Sequence, residues 1–134
     1  MEIFCDCSYN EKKKVAGIGL LIKEDGEEIR LSNWIPAEDN NVGEMWAVYE
    51  AAIIMGGRKG TIYTDSQTAL SFIYGKKKLK PMTHKQYLNY QRLRLMGYKI
   101  RRLHPNVKWV KGHSACRENN IADILARAGA EKHR

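Results

Sequence analysis

The sequence predicts an α/β protein: one five-stranded mixed sheet, in the chain order βββαβααβα, with helices on both faces. Two observations predict this class. Three strand-like segments come first, and the second and third are joined by Asp25-Gly26, a dipeptide typical of tight hairpins. Strand-like and helical segments then alternate to the C-terminus. Antiparallel strands followed by α/β units favour a mixed sheet that helices cover.

The first half of the chain holds the three antiparallel strands and one helix. Apolar and β-branched residues predict strands at Met1–Tyr9, Val15–Lys23 and Glu27–Trp34. Pro36 ends the third strand, because proline cannot donate a hydrogen bond to a neighbouring strand. Apolar residues then recur at helical spacing from Val42 to Ile53, so we predict a helix there that Gly56-Gly57 ends.

The second half contributes two strands and three helices. The strands are predicted at Gly60–Thr64 and Val107–Lys111, and the helices from Ser66 to Tyr74, over Thr83–Met96 with Gly97 as its end, and from near Glu118 onward. The last helix carries an apolar side formed by Ile121, Ile124, Leu125 and Ala128. Trp109 alternates with Val107 along its strand, so we expect it to pack in the core.

Length and composition predict one domain over residues 1–134, which we expect to be a monomer. No apolar run is long enough to span a bilayer, and the N-terminus does not resemble a secretion signal. The three cysteines are an odd number, which favours a reduced, cytoplasmic setting. Cys5-x-Cys7 is a weak metal signal, since it lacks a second pair of ligands.

The chain is strongly basic, with 23 Lys and Arg against 15 Asp and Glu and a formal net charge of +8. Such a balance favours polyanionic partners, because binding releases counterions from phosphates. Much of the excess lies at Lys12–Lys14, at Lys76–Lys78 with Lys80, and between Arg92 and Arg102. Composition alone does not distinguish nucleic acid from an anionic membrane surface.

Four carboxylates stand out, and each has a structural alternative. Asp6 lies within an apolar strand, where burial is costly unless a cation pairs with it; a frayed edge or a lysine partner would also explain it. Glu44 lies three residues after Asn41, the spacing of a capping box.

The other two carboxylates also have local explanations. Asp65 precedes a helix that it could cap. Asp123 is an unfavourable residue inside a helix, although Arg127 stands four residues later and could pair with it.

Considered together, the four carboxylates favour a metal site. Two lie on or beside strands and two on helices that would cover the sheet, so all four can converge at one end of it. Like charges at close range repel one another, and such a group is sensible only around hard divalent cations such as Mg²⁺. A pair of ions can clamp the attacking and leaving oxygens of a phosphodiester.

An ordered set of motifs carries a family resemblance over nearly the whole chain. The motifs are Asp6-Cys7-Ser8, Asn41-x-x-Glu44, Thr64-Asp65-Ser66-Gln67, Trp109-Val110-Lys111-Gly112-His113, Glu118-Asn119 and Asp123-Ile124-Leu125-Ala126-Arg127. Their order and separations resemble those of type 1 ribonuclease H, a family with the ribonuclease H-like fold.

The resemblance implies an endonuclease that cleaves the RNA strand of RNA–DNA hybrids with two Mg²⁺ ions, or Mn²⁺ as a substitute, leaving 3′-hydroxyl and 5′-phosphate ends. It implies Asp6, Glu44, Asp65 and Asp123 as metal ligands, with Asp6 bridging both ions, and His113 as an aid to proton transfer or product departure. The implied hybrid-binding residues are Asn10, Asn41 and Gln67 in the minor groove. Lys76, Lys77 and Lys78 are expected to contribute to hybrid binding as a partial substitute for a longer basic insertion.

The sequence also departs from the family pattern. Cys7 stands where the family usually has glycine, and Glu38, Asp39 and Val42 occupy a region where many members hold a DNA phosphate with hydroxyl or basic residues. Two alternatives stay open: a catalytically silent hybrid-binding module, and a two-metal nuclease of the same fold acting on DNA junctions.

Overall fold

In the computed structural model, which describes residues 1–75, 80–111 and 116–132, five strands form one mixed sheet. The strands are β1 (Glu2–Asn10), β2 (Val15–Glu24), β3 (Glu27–Pro36), β4 (Thr61–Thr64) and β5 (Val107–Trp109). Their order across the sheet is β3-β2-β1-β4-β5. The first three strands pair antiparallel, whereas β4 is parallel to both β1 and β5. The predicted mixed sheet is confirmed.

Helices cover both faces of the sheet, as predicted. They are α1 (Asn40–Met55), α2 (Gln67–Ile73), α3 (His84–Arg101) and α4 (Arg117–Lys132). Alternate residues of β1 point to opposite faces. Ile3 and Cys5 join the larger core with α1, α2 and α3, whereas Phe4 packs with Ala122 of α4 on the other side. Among the described helices, none is long and apolar enough to cross a membrane.

Helix α4 lies very close to β2. A Cβ atom at Gly19 would overlap the carbonyl oxygen of Ala122, so only small side chains fit between the helix and the sheet. The buried residues of α4 are accordingly Asn119, Ala122, Ala126 and Gly129. The predicted apolar side is therefore not the buried side of α4: Ile121, Leu125 and Ala128 are half-buried, and Ile124 is 64% exposed.

Two further predictions were wrong. Helix α3 does not end at Gly97 but continues to Arg101. Gly97 serves helix packing instead: α3 touches α2 at this position, and a Cβ atom there would overlap the carbonyl oxygen of Phe72. Trp109 is not a core residue and is 45% exposed. It shares the side of buried Val107, but it is the last residue of β5.

Candidate active site

Three carboxylates converge at the end of β1. Asp6 on β1, Glu44 on α1 and Asp65 after β4 each place an oxygen so that the three oxygens lie within 4.8 Å of one another. The strand register explains why Asp6 and Asp65 are close to each other. Cys5 pairs with Thr64 across parallel strands, so the residues that follow them, Asp6 and Asp65, come side by side.

Glu44 is brought to this group by the first turns of α1. The residue that caps this helix is Asp39, whose Oδ1 accepts a hydrogen bond from the Val42 N–H at 3.0 Å. The capping-box interpretation of Asn41 and Glu44 is therefore wrong, and the Glu44 carboxylate is not used to cap the helix. Glu44 is 6% exposed, and its Oε2 is buried with no hydrogen-bond partner in the described part of the chain.

Asp65 is likewise not a helix cap. Ser66 caps α2, and its Oγ accepts a hydrogen bond from the Ala69 N–H at 3.0 Å. The backbone around Asp65 is held from both sides: the Ser66 N–H donates to Thr64 Oγ1 at 3.1 Å, and the indole N–H of Trp109 donates to the Asp65 carbonyl oxygen at 3.3 Å. The backbone that carries the Asp65 side chain is therefore held in place, and its carboxylate does not cap α2.

The acidic group is electrostatically strained without a cation. Burial, together with the charge of Asp65, raises the pKa of Asp6 to about 8, although the Cys7 N–H, which donates to Asp6 Oδ1 at 2.8 Å, partly opposes this. Burial and the charges of Asp6 and Asp65 likewise raise the pKa of Glu44 well above its usual range. A hard divalent cation would relieve this repulsion and would supply a partner for the unpaired Glu44 oxygen.

Asp123 of α4 lines the same cleft. It acts on Asp6 through both charge and side-chain hydrogen bonding, so the two carboxyl groups are neighbours. The predicted pair with Arg127 is also present, with Arg127 Nη2 2.7 Å from Asp123 Oδ2. The Asp123 side chain is 26% exposed, so it is half-buried at the cleft and does not extend into bulk solvent.

The cleft around these carboxylates has a volume of about 720 Å³. Asn41 and Gln67, predicted to bind substrate, are among the residues that line it. Asn10 is not among them: it ends β1, and its side-chain oxygen accepts a hydrogen bond from the Lys13 N–H at 3.1 Å. The other predicted site residues, Lys76, Lys77, Lys78 and His113, lie outside the described residues.

Six residues that line the cleft were not predicted as site residues: Cys7, Asn40, Ser66, Thr68, Trp109 and Lys111. The alternation with Val107 suggested a core position for Trp109. No local signal corrects this, because the sequence predicts that the strand continues to Lys111, whereas in the structure it ends at Trp109.

A family model for RNase H matches residues 1–131. The chain belongs to the RNase H family. Ribonuclease HI of Pasteurella multocida strain Pm70 is 36% identical to it, over 98% of this chain and 90% of that protein. Ribonuclease HI of Haemophilus influenzae strain Rd is 34% identical over the same shares of each chain. Family membership makes this protein a nuclease of the ribonuclease H class.

Solved structures support the fold of this RNase H. The crystal structure of RNase H1 from the halophilic archaeon Halobacterium salinarum NRC-1 superposes with a TM-score of 0.74 at 20% identity, covering 98% of this chain and 97% of that one. LC11-RNase H1, isolated from compost by a metagenomic approach, gives a TM-score of 0.71 at 24% identity, covering 98% and 95%.

The start of α1 in this RNase H differs from the family pattern in charge. Both oxygens of Asp39 are used within the protein: Oδ1 caps α1, and Oδ2 accepts a hydrogen bond from Asn89 Nδ2 of α3 at 2.7 Å. The Asp39 carboxylate thus lies in the region where the family resemblance suggests residues that hold a DNA phosphate. Its negative charge opposes phosphate binding at this helix end.

Proposed function

We propose that this RNase H hydrolyses the RNA strand of RNA–DNA hybrids by a two-metal-ion mechanism and leaves 5′-phosphate and 3′-hydroxyl ends. The observation that carries the proposal is the group formed by Asp6, Glu44 and Asp65, in which three carboxylates meet within 4.8 Å and one buried oxygen of Glu44 has no partner among the described residues. Carboxylate oxygens are the ligands that hard divalent cations such as Mg²⁺ prefer.

The proposed ligands are Asp6, Glu44, Asp65 and Asp123, holding Mg²⁺ with Mn²⁺ as a substitute. Bound ions of this kind lower the pKa of a coordinated water and stabilise the developing charge on the leaving oxygen. Asp6 would be the ligand shared by the two ions, and its interaction with both Asp65 and Asp123 supports this role. Arg127 would hold the Asp123 carboxylate in place through their 2.7 Å ion pair.

The remaining residues are proposed to bind the substrate. Asn41 and Gln67 line the cleft and offer amide groups that can pair with 2′-hydroxyls, which distinguish RNA from DNA. Asn10, Lys76, Lys77 and Lys78 stay predictions from the sequence, as does His113 in proton transfer or product departure. The net charge of +8 supports an electrostatic contribution to hybrid binding.

The proposal is tested with three labelled duplexes of one sequence in Mg²⁺: an RNA–DNA hybrid, duplex RNA and duplex DNA. We expect cleavage of the hybrid alone, within its RNA strand, with products that carry 5′-phosphate ends. Tight hybrid binding without turnover would identify a silent binding module. Preferential cleavage of a DNA junction in competition with the hybrid would identify the junction nuclease.

A further inference from the structure

Trp109 exposes an aromatic surface at the edge of the cleft. Its neighbour on the same side of β5, Val107, is 5% exposed and belongs to the core, whereas Trp109 is 45% exposed. Other large apolar side chains are exposed to a similar degree, Trp34 and Trp46 among them, so it is the position of Trp109 and not its exposure alone that indicates a role. The cleft lies beside it, with Gln67 of α2 and Lys111 also in the lining.

The indole of Trp109 is held by the backbone of the acidic site. Its N–H donates to the Asp65 carbonyl oxygen at 3.3 Å, so the polar edge of the ring is fixed beside one of the three clustered acids. The other end of β5 is also anchored, because the Tyr74 hydroxyl donates to the Val107 carbonyl and accepts from the Val107 N–H, both at 3.1 Å. A ring fixed in this way would lose little conformational freedom on binding a ligand.

An exposed aromatic ring in a cleft of a basic protein is a typical contact for a nucleotide, since bases and sugars pack on its face. We infer that Trp109 is a substrate-binding residue, whose exposed ring packs against the RNA-strand nucleotide adjacent to the phosphate that is cleaved at Asp6, Glu44 and Asp65. The inference rests on the proposed function for the identity of the strand.

The first test uses the fluorescence of Trp109. In the variant Trp34→Phe/Trp46→Phe, Trp109 is the remaining tryptophan of the chain. With Asp6→Asn added to keep the hybrid intact, titration with an RNA–DNA hybrid should change the fluorescence saturably, in parallel with the anisotropy of a labelled hybrid. Fluorescence that stays constant while anisotropy reports full binding would overturn the inference.

The second test separates the ring from its hydrogen bond. Trp109→Leu should raise the KM for the hybrid about tenfold and leave kcat largely unchanged, the size expected when one aromatic contact to a nucleotide is lost. Trp109→Phe keeps a ring but loses the N–H, and should raise the KM much less than Trp109→Leu does. Equal effects of the two substitutions would overturn the inference, because they would assign the role to the bond with Asp65.

The chain offers a matched control. Trp46 on α1 is 36% exposed and is not among the residues lining the cleft, so Trp46→Leu should leave the KM unchanged. An equal rise in KM for Trp46→Leu would contradict a specific role for Trp109. Wild-type protein that fails to cleave the hybrid would refute the proposed function, whereas normal cleavage with an unaltered Trp109→Leu variant would refute this inference alone.

Discussion

The Sγ of Cys7 packs directly on the α-carbon of Gly43, so that a Cβ atom at Gly43 would overlap this sulfur and lie 2.7 Å from the Ala16 Cβ. Each residue of the pair adjoins a carboxylate of the site: Cys7 follows Asp6, and Gly43 precedes Glu44. This contact therefore sets the spacing between β1 and α1 where the two acids meet. It also explains how the chain accommodates a thiol where the resemblance suggests glycine.

Gly43→Ala should displace the start of α1. Overpacking of this kind costs about 1–3 kcal/mol, so we expect a lower free energy of unfolding and slower hybrid cleavage. Urea denaturation and cleavage assays would measure both. The double variant Cys7→Gly/Gly43→Ala should recover part of each loss, because the sulfur is removed; no recovery would show that the contact with Ala16 or the helix backbone dominates.

The stability of the metal-free protein should depend on the ionisation of Asp6. Its pKa is raised from 3.8 to about 8 in the folded protein, so the folded state binds the proton more tightly than the unfolded state. The resulting stabilisation is complete below the unfolded pKa and is lost as pH rises from about 4 to about 8. In EDTA, the melting temperature should therefore fall across this range.

Asp6→Asn removes this titration and should weaken the pH dependence, leaving the part that Glu44 contributes through its own raised pKa. It should raise the stability at pH 8 on the order of 1–3 kcal/mol while abolishing cleavage. Glu28→Gln is the control, since Arg117 lowers the pKa of the exposed Glu28 to about 2 and this group therefore acts mainly at acidic pH. An Asp6→Asn protein with wild-type pH dependence between pH 5 and 8 would contradict the assignment.

Substitutions at Asp65 and at Ser66 should have separate effects, one on the cleavage rate and the other on the free energy of unfolding. Ser66 caps α2, so Ser66→Ala should lower the free energy of unfolding by about 1 kcal/mol and leave an appreciable cleavage rate. Asp65→Asn leaves this cap intact and removes a charge that repels Asp6 and Glu44, so it should abolish cleavage without lowering stability. The opposite pattern in paired unfolding and cleavage measurements would restore Asp65 to a structural role.

The sequence predicted the order of the elements and the strands that place Asp6 beside Asp65, because hairpin signals and apolar periodicity are local. It did not resolve which residues cap α1 and α2. Asp39 and Asn41 are both good caps by residue type, and Asp39 also accepts a hydrogen bond from Asn89 of α3, a contact 50 residues away that local sequence does not reveal. Close helix packing also escaped prediction, since Gly97 ends a helix by propensity but here lets α3 touch α2.

Asp123 and Arg127 should respond very differently to substitution. Arg127→Ala removes an exposed i, i+4 pair and should cost at most about 0.5 kcal/mol of stability, with cleavage slowed only several-fold. Asp123→Asn removes the proposed ligand and should slow cleavage far more. Equal kinetic effects would indicate that Asp123 acts only through its ion pair.

The central claim is that the buried acids bind a divalent cation that hybrid cleavage requires, and Glu44 tests it most directly because its Oε2 has no partner in the described chain. The measurement is the rate of RNA cleavage in an RNA–DNA hybrid as Mg²⁺ is titrated, for wild type and for Glu44→Gln. We predict no wild-type cleavage in EDTA, a saturable rise with Mg²⁺, and a loss of at least about a hundredfold in Glu44→Gln. Cleavage that persists in EDTA, or a Glu44→Gln protein that matches wild type at every Mg²⁺ concentration, would contradict the claim.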